Sequence, residues 1–324
     1  MDAKKLVKNA YFQAGLLIIL LILYLISPND SFRLVFGFLV AAAMIGLVVY
    51  EMKEGVKERG IKHELKDTLL ALGIALAFWF GLQFIMNTSS PISAVVTCSM
   101  LPNLQRGDFA IVQNAQISAY SIEMTDSEFQ QLLGPAEFYV NGTKYPTKGS
   151  LYSYCIFTRE PFCKDFGLNP ENYVETRGPF TIHYSSCTID IRDKGKVNEP
   201  CVTSVSFKGK NYPINLSNDV IVYQPDKTEL YSLYGDIIHR SYFKIHVTDT
   251  NKTYYLSKGD NNQILDFQVY DYLLQKGNYP ISQDKLKGKL LFKVPVLGYY
   301  KLLLSGFFTE PNQCKMVLSY DYFN

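Results

Sequence analysis

Apolar residues are crowded into the first quarter of the chain. Residues 11–27, 34–50 and 68–86 form three runs without a single charge, each close to the length a helix needs to cross about 30 Å of hydrocarbon. A core helix of a soluble protein normally keeps one polar face, so runs that are apolar all round predict three transmembrane helices in a membrane domain over residues 1–90. Small residues on the second and third runs (Gly37, Ala41, Gly46 and Ala71, Gly73, Gly81) predict that those two helices pack closely as a hairpin. The first run lacks a small-residue cleavage site and reads as a retained helix, not a removable leader.

After residue 90 the pattern changes to short β-type runs separated by Gly, Pro and Asn turns. Strands are expected at 92–98 and 109–112, then within 218–225, 235–245 and from 254, and a last one near the carboxy end. Between them, residues 114–217 read as an inserted, Tyr-rich β module with strands at 137–140, 180–183 and 202–207 and turns at Asn141-Gly142, Lys148-Gly149 and Lys208-Gly209. The fold class that follows is α+β: a helical membrane domain, a mostly β core made of residues 91–113 and 218–308, the insertion, and a strand or tail over 309–324. Within 287–308, Pro295, Gly298 and Lys301 interrupt the apolar pattern, which predicts a strand followed by an interfacial segment and not another crossing.

Charge orients this arrangement. Lys4, Lys5 and Lys8 precede the first run, and Lys53, Lys57, Arg59, Lys62 and Lys66 lie between the second and third, whereas no basic residue follows the third until Arg106. The positive-inside rule places the amino terminus in the cytoplasm and everything after about residue 87 outside. The sequons at Asn87, Asn141, Asn215 and Asn251 all fall on that outer side. A net charge of +2 offers no electrostatic footprint for nucleic acid.

Four of the six cysteines, Cys155, Cys163, Cys187 and Cys201, lie in the insertion. Their spacing does not match paired Cys-x-x-Cys zinc knuckles, and in an oxidising compartment Cys155 with Cys163 and Cys187 with Cys201 would close two local loops, one of three possible connectivities. Cys98 and Cys314 are left over, with Cys98 expected as a small packing residue. His183, on an insertion strand, is expected as a packing or surface residue.

The chemistry concentrates in TCSMLPNLQRGDFAIV, residues 97–112. Ser99 follows a β-type run and precedes a proline-closed turn, which fixes its backbone and offers its hydroxyl outward. Downstream, GDIIHRSYFKI (235–245) places His239 and Arg240 in a strand. YYLSKGDNNQILD (254–266) ends a strand in a Gly-Asp-Asn-Asn turn, with Asp266 six residues beyond Asp260. Ser-Met-x-Pro, Gly-Asp before a strand, His-Arg, and Lys-Gly-Asp-Asn-Asn with a later acid together resemble the type I signal peptidases of archaea and the endoplasmic reticulum, which carry histidine where the bacterial enzymes carry lysine.

The resemblance covers about fifty positions of the 324. It implies a membrane-bound serine endopeptidase that removes signal peptides at the outer membrane surface, with Ser99 as nucleophile, His239 as general base and Asp266 or Asp260 as the acidic member, the second position, Asp266, being the closer match. An imidazole titrating near neutrality suits the transfer of a hydroxyl proton to a leaving amine. Asp260, inside the tight turn, reads alternatively as a turn-capping residue. The oxyanion donors implied are the Ser99 backbone N–H and the Thr97 hydroxyl, with Cys98 standing where the family usually has glycine. Arg240 reads as an ion-pair partner and His246 as the weaker base.

The strand before Ser99, residues 91–98, is neutral and extended, suited to pairing with an extended substrate. The partners expected are signal-peptide-bearing precursors, the lipid bilayer and the protein translocation channel; no cofactor or metal is expected. An archaeal plasma membrane is preferred to the endoplasmic reticulum. Two other readings stand beside this one: a related enzyme dedicated to surface or pilin-like precursors, and an inactive anchored ectodomain that binds a ligand through the insertion.

Overall fold

The computed structural model describes residues 10–26, 30–295, 297–305 and 310–320. They divide into two compact units, one holding the amino-terminal residues to Ile85 with Tyr299–Glu310, the other Met86–Gly298 with Pro311–Asn324. Lys4, Lys5 and Lys8, and residues 306–309 of the expected interfacial segment, lie outside the described residues.

The first unit contains α1 (Ala10–Ile26), α2 (Asp30–Arg59) and α3 (Ile61–Met86). Two segments, Val35–Arg59 of α2 and the whole of α3, are long and apolar enough to cross a membrane. The first apolar run is helical too, but its 17 residues reach only about 25 Å at 1.5 Å per residue, so it is not shown to be a third crossing. The helices also pair differently from expectation. α1 lies against α2, burying Tyr24 and Val40, while α3 buries no residue. A Cβ added at Gly46, Gly73 or Gly81 would meet nothing, so the small-residue faces are not in close contact. The short helix Tyr299–Leu304 belongs to this unit and sets Tyr299 edge-on to Tyr24, 6.1 Å between ring centres.

The second unit is built on two sheets. In chain order the strands are β1 (Ile92–Ala94), β2 (Phe109–Gln113), β3 (Tyr120–Met124), β4 (Ala136–Val140), β5 (Thr143–Thr147), β6 (Val174–Arg177), β7 (Phe180–Ile191), β8 (Gly195–Phe207), β9 (Lys210–Pro213), β10 (Val220–Tyr223), β11 (Ile237–Val247) and β12 (Lys252–Lys258). They continue with β13 (Tyr270–Asp271), β14 (Lys276–Gly277), β15 (Ile281–Ser282), β16 (Leu286–Val294) and β17 (Met316–Ser319). The first sheet runs β1-β2-β16-β10-β11-β12-β15, with β3 parallel to the far half of β11; β1 is an edge. The second runs β5-β4-β6-β7-β8-β9, with β17 on β7.

Asn141-Gly142 and Lys208-Gly209 have positive φ at both residues, the backbone that tight two-residue hairpins demand, and they join β4 to β5 and β8 to β9.

Strands of the segment 114–217 fall in both sheets. β3 lies in the first sheet, and β17, from beyond the expected core, joins the second. One apolar core runs through both sheets: Phe243 and Ile245 of β11 pack with Ile182, Val205 and Phe180, whose ring centre is 5.3 Å from that of Phe243. β11 is therefore covered on both faces, which explains why IIHRSYFKIHV shows little alternation of apolar and polar positions. A second cluster, with Val95, Met100, Leu104, Val222 and Ile238, fills the layer beneath Ser99.

Candidate active site

Ser99 owes its position to the turn it opens. Val95 N–H donates to Asp108 O at 2.9 Å and Gly107 N–H returns a bond to Val95 O at 2.9 Å, tying the approach strand to the Gly-Asp turn. Gly107 has φ +90°, which disfavours a side chain. Met100 and Leu104 are sunk into the core on the other side, so the segment cannot rotate. Asn261 N–H donates to Ser99 O at 2.7 Å, and the Asn261 side-chain amide donates to Cys98 O at 3.0 Å. A Cβ on Gly259 would come within 2.6 Å of Ser99 O, so the turn after β12 is pressed against the Ser99 backbone.

His239 sits in β11 opposite Ile221 of β10, buried and facing Ser99. Ser99 Oγ is 2.8 Å from His239 Nε2, although 140 residues separate them in the chain. On the other side of the ring, His239 Nδ1 is 2.7 Å from Asp266 Oδ2. The same oxygen accepts from Ser257 Oγ and, at 3.2 Å, from Tyr223 OH. Burial, then the charge of Asp266, pushes the Tyr223 phenol well above its ordinary value, so it remains a donor. Asp266 Oδ1 is buried with no hydrogen-bond partner among the described residues. The Tyr231 ring meets the imidazole edge-on, 5.8 Å between centres, and limits its rotation.

The two acidic positions separate. Asp260 does not meet His239. It receives both sides of the Arg240 guanidinium, Nε to Oδ1 and Nη2 to Oδ2 at 2.7 Å each, and the Asn103 amide at 2.7 Å. Strand geometry explains this: Arg240 follows His239 directly, so its side chain leaves the opposite face of the sheet. Thr97 Oγ1 lies 3.2 Å from Ser99 Oγ, and the Ser99 N–H makes no backbone hydrogen bond among the described residues. His183 is not bonded to this group: it lies on β7, with its Nε2 2.9 Å from Ser206 Oγ; His246 lies toward the far end of β11, paired with β3 and β12.

Cysteine placement departs from expectation in one respect. Cys155 pairs with Cys163 and Cys187 with Cys201. Cys98 is not a lone packing residue: it is bonded to Cys314 with the Cα atoms 4.9 Å apart, directly beside Ser99. The carboxy-terminal segment also receives the Asn261 amide at Met316 O, 2.7 Å, and gives the Leu318 N–H back to Asn261 Oδ1, 2.7 Å.

Ser257, Tyr223, Gly259 and Asn261 were not singled out from the chain as site residues. Only the Gly-Asp-Asn-Asn turn gave a signal, and it concerned turn chemistry. Lys258 is a further buried group, donating to Gly259 O at 3.2 Å and to Asn262 O and Tyr320 OH. Burial lowers its ammonium to about 8.

Two cavities meet at this group. A small one of about 30 Å³ lies between residues 94–100 and 234–239. A larger cleft of about 410 Å³ shares Thr97, Ser99 and His239 with it and extends to Tyr152, Ile156 and Tyr270.

No family model matches the chain. Over 60 residues, 18% of its length, it is 35% identical to the signal peptidase complex catalytic subunit SEC11 of Leptosphaeria maculans. The chain spans 35% of that protein's length. The similarity to a signal peptidase subunit is thus partial, and it accompanies a buried serine, histidine and aspartate joined in one hydrogen-bonded line.

Proposed function

We propose that this chain is a membrane-anchored serine endopeptidase that removes signal peptides from secretory precursors. The carrying observation is the continuous contact Ser99 Oγ, His239 Nε2, His239 Nδ1, Asp266 Oδ2, at 2.8 and 2.7 Å. In this reading Ser99 attacks the scissile carbonyl as His239 takes its proton at Nε2. Nδ1–H is held by Asp266, whose charge offsets the imidazolium. The tetrahedral oxyanion is received by the Ser99 N–H and the Thr97 hydroxyl. His239 then returns the proton to the leaving amine, and water, activated by the same imidazole, releases the acyl group.

A pocket of about 30 Å³ admits little more than a methyl group, which supports a small residue immediately before the cut. Three crossings, a cytoplasmic amino terminus and an extracytoplasmic catalytic unit complete the proposal, on the charge pattern read from the chain. The partners are signal-bearing precursors arriving from a translocation channel in the same bilayer.

The test is cleavage of a signal-bearing precursor by the full chain in detergent. Ser99→Ala and His239→Ala should each lower turnover by about 10³-fold or more. Wild-type turnover in either variant would refute the proposal.

A further inference from the structure

We propose that the inserted segment builds a second specificity subsite, in which the larger cleft beside Ser99 receives the residues that follow the scissile bond and selects an uncharged, apolar side chain among them. The direction of the substrate rests on the peptidase reading above.

The two cavities share the reacting groups but have different outer walls. The approach to Ser99, Ala94 to Val96, lines only the small one, and the inserted helix Leu151–Phe157 lines only the large one. An amide attacked at Ser99 projects its acyl half and its amine half to opposite sides of the tetrahedral carbon, with His239 Nε2 reaching the nitrogen between them. With the acyl residue's side chain in the small pocket, the chain beyond the bond leaves through the large cleft.

The chemistry of that cleft is selective. Its walls are Tyr152, Ile156, Ile264, Val269 and Tyr270, its polar groups are amides and hydroxyls, and apart from His239 no titrating acid or base of the Asp, Glu, Lys or Arg type lines it among the described residues. An acidic side chain entering it would lose hydration without finding a cation among the lining residues. Ile156 is 72% exposed, an apolar residue at the cleft edge with nothing covering it.

The wall is also rigid, because the insertion is joined to the loop that carries Asp266. Ser153 Oγ donates to Gln268 O at 3.0 Å, and Arg177 Nη1 donates to Phe267 O at 2.7 Å. Buried Glu175 accepts from Leu151 N–H at 2.8 Å and from the Gln268 amide at 2.9 Å. Gly149, with φ +77°, leaves no room for a Cβ, which would fall 2.3 Å from that of Tyr270. A preorganised wall fixed to the catalytic acid turns contact with the substrate into discrimination and not into loop movement.

The experiment uses the full chain in detergent and a set of signal-bearing peptides with alanine before the bond and Leu, Ser or Asp at each of the first three positions after it. Wild type should prefer Leu over Asp by about tenfold or more in kcat/KM at one of these positions, mainly through KM. Ile156→Lys, which supplies the missing counter-ion, should cut that ratio to about threefold or less, Ile156→Leu should keep it, and preference at the residue before the bond should not change in either. Binding of the same peptides to Ser99→Ala is measured in parallel. Cleavage without discrimination after the bond, or discrimination unmoved by Ile156→Lys, overturns the subsite and leaves the peptidase reading intact. Discrimination in binding with no cleavage by wild type supports the subsite and refutes the peptidase reading.

Discussion

The two acidic residues of the Lys-Gly-Asp-Asn-Asn-Gln-Ile-Leu-Asp stretch should fail in different ways. Asp260 is 3% exposed and Arg240 13%, and they share two 2.7 Å hydrogen bonds. Asp260→Ala leaves a half-buried guanidinium with only Asn218 O, at 2.6 Å, of its former partners. Breaking one side of such a pair costs about 3–5 kcal/mol. For a unit of this size that corresponds to a fall in melting temperature of roughly 10 °C. Asp266→Asn keeps the side chain's volume and its contacts with Tyr223 and Ser257 within reach, so melting should move by only a few degrees. Turnover, however, should fall by about 10³–10⁴-fold, because the amide no longer offsets the imidazolium.

The assay is thermal unfolding at one fixed scan rate alongside precursor cleavage at 25 °C, for both variants and for Arg240→Met with Asp260→Ala. Removing both ends of the ion pair should recover part of the loss in melting temperature. Asp260→Ala should retain turnover within about tenfold of wild type at a temperature where it is folded. The division of labour is refuted if Asp260→Ala abolishes turnover without changing the melting point, or if Asp266→Asn keeps kcat within tenfold.

Two further outcomes follow from the packing around Ser99. Gly259→Ala should lower kcat by about 10²-fold with little change in KM, since its Cβ would sit 2.6 Å from Ser99 O and displace the nucleophile; steady-state kinetics read this directly. Burial holds folded Lys258 near 8, below the 10.5 of an exposed lysine, so between those values the unfolded chain carries a proton that the folded one lacks. The Lys258 contribution to stability should therefore rise with pH from 8, by roughly 1 kcal/mol at pH 9, above which ionisation of unfolded-state tyrosines reverses the trend. Lys258→Met should abolish that rise in denaturant titrations across the same window, and an unchanged slope would contradict the buried ammonium.

What could be read from the residues alone was local. The uncharged runs specify apolar helices because a helix closes its own backbone hydrogen bonds, and the tight hairpins at Asn141-Gly142 and Lys208-Gly209 follow from residues that tolerate positive φ. The strand-and-turn setting of Ser99 and the strand bearing His239 are local too, and their pattern was enough to suggest the chemistry. The neighbours of those residues were not. Which acid faces the imidazole depends on the face of β11 from which His239 and Arg240 emerge and on where the chain returns after β12.

The Cys98–Cys314 bond joins residues 216 apart, and no spacing rule reaches that far. The pairing of α1 with α2 turned on which apolar face met which, a choice that composition leaves open. The inserted segment looked detachable because its turns and strands are self-contained in sequence. Tertiary packing joined it to the loop carrying Asp266 through buried Glu175 and Arg177, whose partners lie up to 93 residues away. Burial of a polar group is satisfied by whatever donor or acceptor the fold brings near, and that depends on the path of the whole chain.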